Sequence, residues 1–212
     1  MTASNDPLTI EQRYVLVFDF CSSTLILEDL LRSECEDRWR NLLIDIKTFL
    51  QIERRRFGFD IYKFIGDGWI LLFPWDFPRD EFFSFLQRLC EKYDSAFRKR
   101  VKPVLTTQID KVGITFGLDR GRLIRWDMDG HLEFGHTEYL GRPLNVASRL
   151  QASIRDNDQN PQGKILMSKP AYEQLRRHIP KGNRIYSVKR KLRNISGGDN
   201  YRCIKLHLHD AR

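Results

Sequence analysis

The sequence predicts an α+β domain in which helices pack on a mostly antiparallel central sheet. Three observations carry that expectation. Short apolar runs rich in β-branched and aromatic residues recur along the chain, as at residues 13–20, 59–65, 69–73 and 112–118. Between them lie segments whose apolar residues return every three or four positions, as at residues 25–56 and 79–99. Strands also follow one another across glycine turns, which favours hairpins over parallel crossovers.

Residues 13–20, Arg-Tyr-Val-Leu-Val-Phe-Asp-Phe, read as a buried strand. Small polar residues follow, and Thr24 is placed to cap the next helix. Leu27, Leu30 and Leu31, then Leu42, Leu43, Ile46, Phe49 and Leu50, predict a short helix, a break at residues 33–36 and a long helix ending at Gly58. Residues 59–65 and 69–73 flank Gly66-Asp67-Gly68 and form a hairpin. Residues 79–99 read as an amphipathic helix with Phe82, Phe83, Phe85, Leu86, Leu89 and Tyr93 inward. Residues 112–118 and 121–126 are expected as a second hairpin. A helix over 141–152 with Pro143 near its start follows, then a polar loop at 154–163. Strand 164–167, helix 169–178 and strands near 184–190 and 200–208 complete the chain.

Composition narrows the classes. Of 212 residues, 41% are hydrophobic and 12% aromatic, enough for a core and against global disorder. No stretch approaches the ~18 uncharged apolar residues of a membrane span. The first residues show neither a basic leader nor an apolar signal core. Cys21, Cys35, Cys90 and Cys203 are scattered, which fits reduced structural thiols in a cytoplasmic protein. The net charge of +8 is uneven: residues 160–212 hold 13 Lys and Arg against three acids. An anionic partner would explain this, and a solvated basic face would explain it equally well.

Two aspartates stand out by position. Asp19 is a charge near the end of an apolar strand, where a carboxylate must be paired, hydrogen-bonded or bound to metal. Asp67 sits at the tip of a glycine turn. If that hairpin packs beside the first strand, the two carboxylates meet. Oxygen ligands without thiols or imidazoles suit Mg²⁺ or Mn²⁺ holding a nucleoside triphosphate. The backbone N–H groups of Ser22, Ser23 and Thr24 at the helix start could cradle phosphate oxygens. Asn145 and Arg149 stand four apart on one helix face, an amide for a ribose and a guanidinium for a phosphorus centre gaining charge. Singly, each of these has an ordinary structural explanation.

Together, Val17-Phe18-Asp19-Phe20, Lys63-Phe-Ile-Gly-Asp67-Gly, Gly113-Ile-Thr-Phe-Gly117 and Gly141-Arg-Pro-Leu-Asn145-Val-Ala-Ser-Arg149 resemble the motifs of the class III nucleotidyl cyclases, the catalytic domains of adenylate and guanylate cyclases. The resemblance runs from about residue 13 to 206, so residues 1–212 are expected to be one catalytic domain without a regulatory domain. It implies a head-to-tail homodimer with active sites across the interface. Asp19, Asp67 and the Phe20 carbonyl would hold two Mg²⁺ or Mn²⁺ ions, while Asn145 and Arg149 of the other copy would orient ribose and stabilise the transition state.

Lys63 and Glu138 occupy the places of the base-reading Lys and Asp of adenylate cyclases. As donor and acceptor they match adenine, cytosine or uracil, and Glu is one methylene longer than Asp, which suits a smaller base. Guanylate cyclases usually carry a Glu and a small residue there. A catalytic unit that fills the chain resembles the stand-alone pyrimidine cyclases of bacterial Pycsar antiphage defence, whose cyclic UMP or cyclic CMP triggers a separate effector. UTP is slightly preferred over CTP, and an adenylate cyclase acting on ATP is the alternative. One departure concerns the triphosphate-binding Lys of the family, since Ile195-Ser196-Gly197 stands at its place. Arg193, or the run Lys189-Arg190-Lys191, is the expected replacement. His131, His136, His207 and His209 form no site. A nucleic-acid partner lacks a recognition motif, and an inactive nucleotide-binding module would usually have lost one of the four key residues.

Overall fold

A computed structural model of the chain describes residues 9–127 and 137–208. Its strands are β1 (Thr9–Phe20), β2 (Asp60–Phe64), β3 (Gly68–Pro74), β4 (Ile114–Asp127), β5 (Thr137–Leu140), β6 (Lys164–Ser168), β7 (Ile185–Arg190) and β8 (Tyr201–His207). The helices are α1 (Ser23–Arg32), α2 (Glu36–Phe57), α3 (Phe82–Ala96), α4 (Arg142–Asn157) and α5 (Lys169–Leu175). The sheet runs β2-β3-β1-β4-β6-β8-β7, with β5 paired to β4 off that path. Every pairing is antiparallel except β4 with β6, as the predicted fold class requires.

Alternation along β1 divides the molecule into layers. Tyr14, Leu16, Phe18 and Phe20 point to one face, where α2 and α3 bring Trp39, Leu42, Ile46, Leu50, Phe82, Phe85 and Tyr93. The stacked rings of Phe20 and Tyr93, 4.6 Å apart, anchor the strand end. Val15 and Val17 point to the other face, against Ala147 of α4. Asp19 continues that second series by the period of two, which puts its carboxylate beneath α4.

The expected hairpin at 112–126 is instead one uninterrupted strand. β4 pairs with β1 without a break from Thr9 opposite Arg125 to Phe20 opposite Ile114. Its glycines are there for close packing rather than for a turn. A Cβ on Gly117 would lie 2.0 Å from the Ala147 carbonyl oxygen, and one on Gly121 would lie 2.9 Å from Pro143 Cγ. The second strand of the pair is β5, which the sequence pattern did not single out. α4 also continues to Asn157, further into the expected polar loop, because buried Ser153 and Ile154 keep the helical period going.

At α1, Thr24 lies inside the helix. Ser22 is the capping residue, left-handed at φ 58°, and no side chain caps the helix. The remaining elements stand within a few residues of expectation, including the break before α2 and its end at Gly58. His131, His136 and His209 lie outside the described residues.

Candidate active site

The first half of the site is the junction of β1 and the β2–β3 turn. β1 and β3 pair so that Asp19 stands opposite Gly68. A Cβ on Gly68 would lie 2.0 Å from the Phe18 carbonyl oxygen, so only glycine lets the turn come this close. Asp67 at the tip is thereby delivered to Asp19, and the Ser23 hydroxyl donates to its Oδ2. Asp19 Oδ1 accepts the Phe20 amide at 3.1 Å. Oδ2 faces Arg155 Nη1 at 2.6 Å, with Gln151 Nε2 at 3.5 Å. Gln151 in turn donates to the Thr115 hydroxyl at 2.8 Å.

The electrostatics of this corner are unbalanced. Asp19 is only 4% exposed. Burial first, then the adjoining Asp67 carboxylate, push the Asp19 pKa up from 3.8 to about 7, against the opposing pull of Arg155 and the Phe20 amide. Two carboxylates in a corner with one cation leave a deficit of positive charge. Among the described residues no three His, Cys, Asp or Glu side chains converge, so a metal here would rest on two carboxylates plus backbone and ligand oxygens. An all-oxygen set with surplus negative charge fits Mg²⁺ or Mn²⁺. Phe20 adjoins this corner in sequence, and Ser23 and Thr24 lie in the first turn of α1, where amides have no intrahelical acceptor.

The second half is exposed on α4. Asn145 and Arg149 both face solvent. Gln151 and Arg155, by contrast, are the α4 residues that reach Asp19. Two residues along a helix turn the side chain by about 200°, so Arg149 points away from the Asp19 of its own chain. The structure therefore does not bring Asn145 and Arg149 together with Asp19 and Asp67 within one copy.

A third group joins β2 to β5. Lys63 Nζ lies 2.8 Å from Glu138 Oε2, and this bond raises the lysine pKa. The Tyr62 hydroxyl donates to the same Oε2 and accepts the Tyr139 amide at 3.1 Å. Alternation would send Tyr62 and Lys63 to opposite faces. The register of β2 on β3 shifts between Ile61 and Lys63, and this bulge lets both neighbours reach Glu138. Nothing in the sequence announces a bulge there, which is why Tyr62 escaped notice.

Ser196 lies by the start of α4. Its carbonyl accepts both terminal nitrogens of Arg142, at 3.4 and 3.2 Å. Arg193 is exposed in the turn between β7 and β8, and Arg190 pairs with Asp158 at 3.6 Å. A guanidinium in contact with the departing motif is thus that of Arg142, which sequence reasoning passed over. Gln151, Thr115 and Arg155 were also missed, because their roles depend on the register of α4 over β1 and β4. Cys21, Cys90 and Cys203 are buried free thiols, with burial raising each pKa.

No family model matches the sequence, and no curated protein does. Solved structures do match in three dimensions. The adenylyl cyclase CyaB from P. aeruginosa superposes with a TM-score of 0.70 at 17% identity, over 97% of each chain. The chain has the fold of a cyclase catalytic domain. Adenylate cyclases from Trypanosoma brucei give 0.65 at 15% identity, covering 95% of this chain and 90% of theirs. The guanylyl cyclase Cya2 gives 0.61 at 16% identity, covering 94% and 92%. Within that cyclase fold no helix among the described residues is long and apolar enough to cross a membrane.

Proposed function

We propose that the chain is a nucleotidyl cyclase acting as a head-to-tail homodimer, with UTP or CTP as substrate. The observation that carries this reading is the division of the site. Asp19 and Asp67 meet at one place, while Asn145 and Arg149 are exposed on the side of α4 turned away from them. A second copy docked head to tail would complete each half with the other. Phe64, Trp126 and Leu140, large apolar residues half exposed beside these elements, supply surface for such a contact.

Asp19, Asp67 and the Phe20 carbonyl would hold two Mg²⁺ or Mn²⁺ ions, which would supply the positive charge that activates the 3′-hydroxyl and neutralises the triphosphate. Asn145 would hold the ribose so that its 3′-oxygen lies in line with the α-phosphorus. The new O3′–P bond forms as the bond to the β-phosphate oxygen breaks, the hydroxyl proton is lost, and pyrophosphate leaves. Arg149 would meet the charge growing on the α-phosphoryl oxygens. Amides of Ser22, Ser23 and Thr24, with Arg142 or Arg193, would line the path of the polyphosphate.

Lys63 and Glu138 would read the base. Lys63 and the Tyr62 hydroxyl both bind Oε2 of Glu138, which fixes the carboxylate in place to read a base amino or imino hydrogen. A fixed acid one methylene longer than Asp supports a pyrimidine over adenine. The product, cyclic UMP or cyclic CMP, would then act on a separate effector in antiphage signalling. The test is incubation of the protein with each of the four ribonucleoside triphosphates and Mn²⁺, with the products identified by mass. Cyclic UMP or cyclic CMP is expected. Exclusive conversion of ATP would replace the pyrimidine reading by adenylate cyclase, and no cyclic product from any substrate would overturn both.

A further inference from the structure

The pairing of Arg155 with Asp19 goes beyond that reading while resting on its assignment of Asp19 to a metal. Both oxygens of the Asp19 carboxylate have partners. Oδ1 accepts a backbone amide, and Oδ2 lies 2.6 Å from the Arg155 guanidinium. A divalent ion approaching Oδ2 meets a positive charge already in place. The two partners differ in how firmly they are held. The Asp19 side chain is 6% exposed and fixed at the end of a central strand, whereas the Arg155 side chain is 44% exposed on the last turn of α4. Among the described residues only Asp19 pairs with the guanidinium, so it can swing into water with little loss of packing. Gln151, one turn earlier, stays anchored on Thr115 and keeps Oδ2 oriented after Arg155 has left.

We propose that Arg155 is a tethered cation that occupies the metal-binding oxygen of Asp19 in the free protein and gives it up when a divalent ion arrives. The arginine stabilises an otherwise uncompensated pair of carboxylates, and it lowers the affinity of the free protein for metal. An incoming polyphosphate offers the released guanidinium a new acceptor of matching fork geometry. Metal and nucleotide therefore help one another to bind, and Arg155 carries that coupling.

The experiment is a Mn²⁺ titration followed by electron paramagnetic resonance on the full chain, without nucleotide, for wild type, Arg155→Ala, Arg155→Lys and Asp19→Asn. Circular dichroism and melting temperature show that each is folded. Arg155→Ala is expected to bind Mn²⁺ about tenfold more tightly than wild type, the scale of one charge-assisted bond. Arg155→Lys should fall between them, and Asp19→Asn should lose the site. Repeating the titration with a non-cyclisable triphosphate should tighten Mn²⁺ binding in wild type by a larger factor than in Arg155→Ala. Equal or weaker Mn²⁺ binding by folded Arg155→Ala overturns the proposal and leaves the metal site standing. Absence of Mn²⁺ binding by every variant, with and without nucleotide, overturns the metal assignment itself and this proposal with it.

Discussion

Asp19 and Asp29 are buried carboxylates ten residues apart, at 4% and 2% exposure, and their surroundings treat them in opposite ways. Asp29 accepts the amides and hydroxyls of both Thr106 and Thr107, with the closest contacts at 2.5 to 2.7 Å. Those donors pull its pKa down to about 2. Asp19 has one backbone amide, the Gln151 amide at 3.5 Å, one half-exposed guanidinium and a second carboxylate for company, and it is pushed up to about 7. Asp29 is a completed structural joint that ties α1 to the chain leading into β4. Asp19 is an incomplete one, and the proposed function places a cation there. Burial alone does not separate a functional acid from a structural one, whereas the balance of donors does.

Exchanging each acid for its amide gives the sharpest contrast. Asp19→Asn should reduce cyclase turnover by about a thousandfold or more, the scale of losing a central electrostatic contact. It should leave the melting temperature unchanged or higher, because a strained charge has gone. Asp29→Asn should do the reverse, lowering the melting temperature while keeping turnover, since an amide cannot accept four donors as a carboxylate does. Matching effects of the two substitutions on both readouts would break the comparison.

Gly117→Ala tests the frame that holds Asp19 under α4. A Cβ there would lie 2.0 Å from the Ala147 carbonyl oxygen and 2.5 Å from the Gln151 amide nitrogen, so α4 must shift. A loss of about 1–3 kcal/mol in stability is expected by denaturant unfolding, with turnover falling as well. Smaller in scale, Glu138→Ala or Tyr62→Phe should change the preference among the four triphosphates by about tenfold while affecting maximal turnover less. Competition assays with mixed substrates would show it.

The pH dependence of stability gives the gentlest contrast. Asp29 has its pKa lowered in the folded state, so its contribution is present above about 4 and is lost as pH falls toward 2. Asp19 has its pKa raised, so the folded state holds more protons than the unfolded one between about 4 and 7, and stability declines as pH rises through that window. Melting curves across pH should show the decline flattened in Asp19→Asn. An unchanged slope in that variant would assign the decline to other groups.

Much of this was legible in the sequence for reasons the fold makes clear. The apolar run ending in Asp19 and the glycines around Asp67 state their own constraint, because a charge in a core strand and a close turn both need local explanation. The order of helices and strands was legible too, although the hairpin expected at 112–126 is one strand and β5 was missed. Gly117 and Gly121 suggest a turn when read locally, and only the helix lying over them shows that they clear space. Tyr62 at a bulge, Arg155 on the last turn of α4, and Arg142 at Ser196 were illegible for a common reason. Each depends on the register of one element against another, which no local pattern encodes.

The central claim is that one active site is built from two copies of the chain, and subunit mixing tests it most directly. Asp19→Asn and Arg149→Ala should each be inactive alone. Mixed in equal amounts and allowed to exchange, they should form heterodimers with one intact site and recover on the order of a quarter of wild-type turnover in a C2 dimer. Turnover no higher than the sum of the two separate variants, with exchange verified by mass, would contradict a site shared between protomers.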